Sequence, residues 1–129
     1  MPATIYFSGS ITGGRGDVAH YREIVDALRS AGYRVLAGAV ASEEVGASGE
    51  PVAVRKIFER DLRWLDESDL LVAEVSAPSH GVGYEIAYAR YRRAIPVLCL
   101  TRNRCSAMLS GDAGIELLEY AELSAAIPR

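Results

Sequence analysis

Residues 69–86 read Asp69-Leu70-Leu71-Val72-Ala73-Glu74-Val75-Ser76-Ala77-Pro78-Ser79-His80-Gly81-Val82-Gly83-Tyr84-Glu85-Ile86. A nearly unbroken apolar run passes through a short polar turn into a helical pattern. Such a run is the pattern of a parallel strand covered on both faces. The helix that follows is expected from roughly Val82 to Arg92, with Val82, Ile86 and Ala89 on the side that can cover a sheet. Strand, turn, helix is the repeating unit of an α/β fold, and the flanking sequence continues it.

Upstream, Thr4–Ser8 is a strand candidate, followed by a glycine-rich loop to Asp17, which is placed to cap the next helix. Tyr21, Ile24, Val25 and Leu28 recur on that helix at helical spacing, Ala31-Gly32 ends it, and Tyr33–Leu36 reads as the second strand. Gly38, Gly46 and Gly49 mark a long irregular segment, read equally as an active-site lid or a surface loop. Pro51 suits the first turn of a helix reaching about Leu65, with Val54, Phe58, Leu62 and Leu65 as its apolar face and Ile57 beside it. Downstream, Val97–Leu100 is a strand. Ile115–Tyr120 is either a fifth strand or a helix. The expectation is a single α/β domain over residues 1–129, a Rossmann-like doubly wound four- or five-stranded parallel sheet flanked by helices. Ligands then bind where strands end, in the loops after Phe7, Leu36, Val75 and Leu100.

Composition sets outer limits. A chain of 129 residues, half of them apolar, buries roughly two-thirds of its unfolded surface. Seventeen acidic against fourteen basic residues give a net charge of −3, which argues against a globally basic binder of polymeric nucleic acid. No apolar run approaches the ~20 residues that span a bilayer, so no membrane association is expected. No secretory leader is recognisable, and the expected location is cytoplasmic. Cys99 lies in an apolar run and reads as a buried small hydrophobe, while Cys105 lies in a loop near Arg102 and Arg104. His20 and His80 are isolated, so no metal site is expected.

Gly81 and Gly83 flank a helix start, where accessible N–H groups, the helix potential and the Ser79 hydroxyl form a cradle for one phosphate. They equally suit a tight turn and close helix–sheet packing. Glu85 lies just inside the same helix, where the helix end favours its ionised form; beside a sugar phosphate it could attack or stabilise an anomeric carbon. Asp61 sits at the edge of its helix's apolar face and serves either a structural partner or a ligand. Tyr6 ends its strand; the strand pattern by itself favours ordinary packing. Ser8-Gly9-Ser10-Ile11-Thr12-Gly13-Gly14-Arg15 offers donors and one cation, but has neither dinucleotide nor Walker spacing. Asp66 and Asp69 read as structural, Glu59 and Glu67 as solvated. Tyr84, Tyr88 and Tyr91 form a second face on the helix after Gly81, suited to a homodimer contact.

These residues together resemble the 2'-deoxynucleoside 5'-phosphate N-hydrolases, within the nucleoside 2-deoxyribosyltransferase-like superfamily. The resemblance rests on Ile5–Ile11, Gly13-Gly14-Arg15, Asp61-Leu62-x-Trp64-Leu65, Val72–Val75, Pro78-Ser79-x-Gly81-Val82-Gly83-Tyr84-Glu85 and Ser106-Ala107-Met108. It implies hydrolysis of the N-glycosidic bond of a nucleoside 5'-monophosphate, without cofactor or metal. Glu85 is then the nucleophile that forms a covalent glycosyl-enzyme, Asp61 contacts the sugar and assists, and Tyr6 orients Glu85. The substrate contacts implied are Ser8, Gly9, Ser10, Ile11, Thr12, Gly13, Gly14, Arg15, Ser79, Gly81, Gly83, Ser106 and Met108, with Ser106 reaching the phosphate from the other subunit of a homodimer. Two positions depart from the pattern: Thr12 stands where an arginine is usual, and Leu36–Val40 lacks a histidine.

Rival readings are a nucleoside 2-deoxyribosyltransferase and a non-catalytic nucleotide-binding module. Many transferases carry an acid near the position of Ser79, and a serine accepts phosphate without like-charge repulsion. The cytokinin-type phosphoribohydrolase signature Pro-Gly-Gly-x-Gly-Thr is absent.

Overall fold

Residues 3–10, 16–37, 51–103 and 106–121 are described by the computed structural model of the chain. Its five strands are β1 (Thr4–Gly9), β2 (Arg34–Leu36), β3 (Leu70–Glu74), β4 (Val97–Thr101) and β5 (Ile115–Glu119). They form one sheet in the order β2-β1-β3-β4-β5, every pair parallel. Burial follows position. β1 is buried throughout and β3 and β4 nearly so, whereas β5 exposes Glu116 and Glu119 and β2 exposes Arg34. Charged side chains on the two edges discourage pairing with another sheet. The fifth segment, open in the sequence between strand and helix, is thus an edge strand with Ile115 turned into the core.

Helix α1 (Gly16–Ser30) covers one face with Tyr21, Ile24, Val25 and Leu28, packed on Ile5, Phe7 and Val72. Each such side chain contributes about 1.5–3 kcal/mol on burial. Gly9 is sterically required there, because a Cβ would stand 2.8 Å from the Tyr21 ring. α1 already includes Gly16, so Asp17 lies inside the helix rather than at its cap. Helices α2 (Pro51–Asp66), α3 (His80–Ala87) and α4 (Ala107–Ser110) lie on the other face, where Leu65, Val82, Ile86 and Ala89 pack on Tyr6, Leu71, Ala73 and Cys99.

Two helices depart from expectation. Val54 and Phe58 of α2 are exposed, at 59% and 48%. A helix of 16 residues is about 24 Å long, and a five-residue strand about 17 Å. The helix is thus longer than the strands it covers, and among the described side chains of α2 only Leu65 is fully buried. α3 begins at His80, earlier than expected, because Ser79 in extended conformation caps it and accepts the Val82 N–H at 3.3 Å. Beyond Ala87 the helix widens into a π-helical segment, Tyr88–Arg93, closed by Ala94 at φ 57°. From that segment Arg90 reaches Asp112 at 3.1 Å and Arg93 reaches the Asp66 carbonyl at 2.7 Å. Asp69 is structural as expected, accepting the Thr4 N–H at 2.8 Å. Among the described residues no helix is long and apolar enough to cross a membrane.

Candidate active site

The order of the sheet reverses between β1 and β3, so the crevice at their C-terminal ends is where this architecture admits a ligand. On β1, Tyr6 and Ser8 are two residues apart and face the same side. Both are buried, and both donate to Glu85 of α3: Tyr6 Oη to Oε2 at 2.8 Å and Ser8 Oγ to Oε1 at 2.5 Å. Each carboxylate oxygen is thus held by its own hydroxyl. Burial pushes the Glu85 carboxyl up from its ordinary range; the Ser8 and Tyr6 hydrogen bonds pull it back, and the charge of Asp61 adds to the rise. Burial, with Glu85 and Asp61 beside it, holds the Tyr6 phenol protonated far above its usual range. Tyr6 is therefore a permanent donor, a function beyond the strand packing its pattern suggested.

Asp61 stands on α2 with its side chain 19% exposed, ion-paired with Arg60 at 3.0 Å; the Arg60 guanidinium lies over the Trp64 ring at 4.7 Å. Asp61 and Glu85 line one cavity of about 320 Å³ with Phe58, Leu62, His80, Gly81 and Tyr84. The Phe58 and Tyr84 rings meet edge to face there, centroids 6.1 Å apart. Glu85 is the sixth residue of α3, and the first turn holds no acid. The helix potential, which fades within a turn, contributes less to its ionisation than expected.

A second, larger cavity of about 520 Å³ lies on the opposite face of α3. Ser79, Gly83, Ser106 and Met108 line it, along with Ser76, Val82 and Tyr91. The structure therefore divides the predicted residues into two groups: Asp61, Gly81 and Glu85 on the smaller cavity, with Tyr6 and Ser8 bonded to Glu85, and Ser79, Gly83, Ser106 and Met108 on the larger. The N–H of Gly83 is not open as expected, since it donates to the Ser79 carbonyl at 3.1 Å. Close helix–sheet packing does not account for the two glycines either. A Cβ at Gly83 would meet nothing within 4 Å, and one at Gly81 only the Ser79 hydroxyl at 3.8 Å. Ser10 is buried, Gly9 lies under the Tyr21 ring, and Ile11, Thr12, Gly13, Gly14 and Arg15 fall outside the described residues, as do Cys105 and the segment 38–50.

The tyrosine stripe is split. Tyr84 faces Phe58, Tyr88 Oη donates to Asp66 at 2.7 Å, and Tyr91 Oη contacts Asp112 at 3.4 Å. Sequence reasoning missed the direct bond from Ser8 to Glu85, although the i, i+2 spacing with Tyr6 was its signal. It also missed Phe58 as a cavity wall, because an aromatic at helical spacing reads as core.

A Rossmann-like sheet with two carboxylates at its switch point, one clamped by a phenol, defines a class. Residues 5–118 match the nucleoside 2-deoxyribosyltransferase family, to which the chain belongs. It is 44% identical over 131 residues to the 5-hydroxymethyl-dUMP N-hydrolase of Mus musculus, a match covering 95% of this chain and 75% of the mouse protein. It is 50% identical over 97 residues to a Methanosarcina mazei protein provisionally named 2'-deoxynucleoside 5'-phosphate N-hydrolase 1, covering 75% of this chain and 60% of that protein. Within the family the chain thus falls among the 2'-deoxynucleoside 5'-phosphate N-hydrolases. A 2-deoxyribosyltransferase structure from Bacillus psychrosaccharolyticus superposes with a TM-score of 0.74 over 95% of each chain at 16% identity, a likeness of fold alone.

Proposed function

We propose that this protein hydrolyses the N-glycosidic bond of 2'-deoxynucleoside 5'-monophosphates, releasing the free base and 2-deoxyribose 5-phosphate. The observation that carries the reading is the carboxylate of Glu85, held at both oxygens by Tyr6 and Ser8 with Asp61 in the same cavity. The names of the relatives supply the substrate class. A carboxylate fixed in this way has little orientational freedom to lose on attack. Glu85 attacks the anomeric carbon as the C–N bond breaks, and the developing oxocarbenium charge is stabilised by the same carboxylate. The bond electrons leave with the base. Water then attacks the sugar ester, frees Glu85, and supplies the proton the departed base retains.

The phosphate end of the substrate is assigned to the first turn of α3, where Ser79 still has a hydroxyl proton to donate after accepting from Val82. Ser79 and Gly83 lie on the larger cavity, so the nucleotide must cross that turn to meet both groups. In this reading Ser106 completes the phosphate site from the second subunit of a homodimer, and the protein acts in the cytoplasm. Sedimentation velocity of the native chain tests the dimer; a monomer at working concentration would exclude a Ser106 contributed by a second subunit.

The test of function is chromatography of base release from ribo- and deoxyribonucleoside 5'-monophosphates beside the unphosphorylated nucleosides. Release from deoxynucleotides alone is the expected outcome. Activity confined to nucleosides would exclude the phosphate assignment, and transfer of the sugar to an added base in place of water would make the protein a transferase.

Two variants probe the geometry. Gly83→Ala fills open space and removes a flexible residue from a helix, so the free protein should gain about 0.5–1 kcal/mol of stability. The same methyl stands where the phosphate approaches, so KM should rise while the melting temperature does not fall. An unchanged KM would remove Gly83 from the site. Ser8→Ala deletes one of the two bonds that draw the Glu85 carboxyl down. The acid limb of the kcat/KM profile, which reports ionisation of the free enzyme, should then move to higher pH. A limb that stays in place would mean that Ser8 does not govern Glu85.

A further inference from the structure

Behind the wall of the larger cavity lies a buried polar cluster that the reaction above does not use. Glu74, the last residue of β3, is fully buried. Its side chain shares the α1 face with Val72, opposite to that of Tyr6 and Ser8. A carboxylate inside a sheet is costly unless its oxygens are satisfied. Here they are: the Ser76 N–H donates to Oε1 at 3.0 Å, and Ser76 Oγ and Tyr120 Oη donate to Oε2 at 2.7 and 2.6 Å. Arg102 Nε stands 3.5 Å from the same Oε2 and supplies the counter-charge.

The partners come from separate segments. Ser76 lies in the β3–α3 loop, Arg102 begins the β4–α4 loop, and Tyr120 follows β5. Ser76 Oγ in turn accepts the Arg102 backbone N–H at 2.8 Å and its Nε at 3.2 Å, so the two loops are tied to each other as well as to Glu74. The Tyr120 hydroxyl also meets His20 Nε2 of α1 at 2.5 Å. Its single proton is committed to Glu74, which makes His20 the donor in that contact.

We propose that Glu74 is a positioning residue that fixes the β3–α3 loop carrying Ser79, and through it the phosphate end of the site. Ser79 follows Ser76 by three residues, and both line the larger cavity. The inference rests on the assignment of phosphate to that cavity. Glu74 lies on the opposite face of the sheet from Tyr6 and Ser8, which hold Glu85, so the chemistry at the anomeric carbon is left alone when the cluster is broken.

The experiment compares the full-length chain with Glu74→Gln, Ser76→Ala and Tyr120→Phe. Inorganic phosphate is the probe, titrated calorimetrically, alongside kcat and KM for a deoxynucleoside 5'-monophosphate. Glu74→Gln and Ser76→Ala should each weaken phosphate binding and raise KM about tenfold, the scale of one charge-assisted hydrogen bond. Their kcat should stay within threefold of the wild type, and the acid limb of kcat should not move. Tyr120→Phe, which keeps both loop contacts, should have a smaller effect. Should Glu74→Gln fail to fold, Ser76→Ala decides the matter. Folded variants that bind phosphate as the wild type does would overturn the proposal, as would a fall in kcat at constant KM. A wild type that binds no phosphate overturns it too. A wild type that binds phosphate yet releases no base would instead refute the hydrolase reading and leave this one standing.

Discussion

Glu85→Gln should lower base release by roughly 10³-fold or more in kcat, the scale on which loss of a covalent nucleophile acts. The exchange keeps the side chain's shape and one oxygen to accept from Tyr6 or Ser8. In the proposed reaction it removes the anion that would form the sugar ester. Because burial raises the Glu85 carboxyl, its ionised form is less favourable in the folded protein than in the unfolded chain. The linkage sign is then set: above the raised pKa the charge opposes folding, and that opposition fades as the pH falls through it. At neutral pH the Gln variant should therefore melt no lower than the wild type, separating lost chemistry from lost structure. For the wild type, activity needs the anion, so kcat/KM should fall on acidification at a pH above the ordinary carboxylate range. Mass spectrometry of acid-quenched enzyme should find the wild type carrying one deoxyribosyl phosphate and the variant carrying none. A variant retaining a tenth of the activity would remove Glu85 as nucleophile.

The order in which the sequence yields its information has a physical basis. Strands β1, β3 and β4 were legible because they are covered on both faces and so read as short apolar runs. The edge strand β5 was ambiguous because half of it faces water, and Ile115, Leu117 and Leu118 fit either period. The apolar face of α2 was misjudged toward its start because periodicity reports which side of a helix is apolar, not how far the sheet beneath it extends. Val54 and Phe58 stay exposed, and Phe58 turns its ring to Tyr84 at the cavity.

At the site, Asp61 could be singled out because a carboxylate at the edge of an apolar helix face is unusual, and Glu85 because it lies just inside a helix beside the expected phosphate cradle. What joins them could not. The clamp on Glu85 spans 77 and 79 residues of sequence, and no local pattern encodes a contact of that range. Glu74 escaped notice for the opposite reason. Set in Leu70–Val75, it reads as a polar interruption, and its worth is visible only when Ser76, Arg102 and Tyr120 converge on it. The separation of Gly81 and Gly83 onto two cavities likewise follows from helix geometry once the start of α3 is fixed at His80.

Asp61→Asn should cost about 10²-fold in kcat, the low end of what a positioned acid–base group contributes. It should also move the acid limb the opposite way from Ser8→Ala. Asp61 lifts the Glu85 carboxyl through charge repulsion, so removing its charge lets Glu85 ionise at lower pH. If Asp61 only opposed the nucleophile, its loss would raise activity; a fall in kcat accompanied by a downward shift of the limb requires a positive role. That role is narrowed by Arg60, whose guanidinium sits 3.0 Å from Asp61 Oδ1. That ion pair favours Asp61 as an acceptor for a sugar hydroxyl over a proton source for the leaving base. A nucleotide bearing a 7-methylated purine separates the two roles, because its cationic base departs without protonation. The Asn variant should remain slow on it relative to wild type. Recovery to the wild-type rate would instead assign Asp61 as the general acid and leave the sugar to be oriented by other groups.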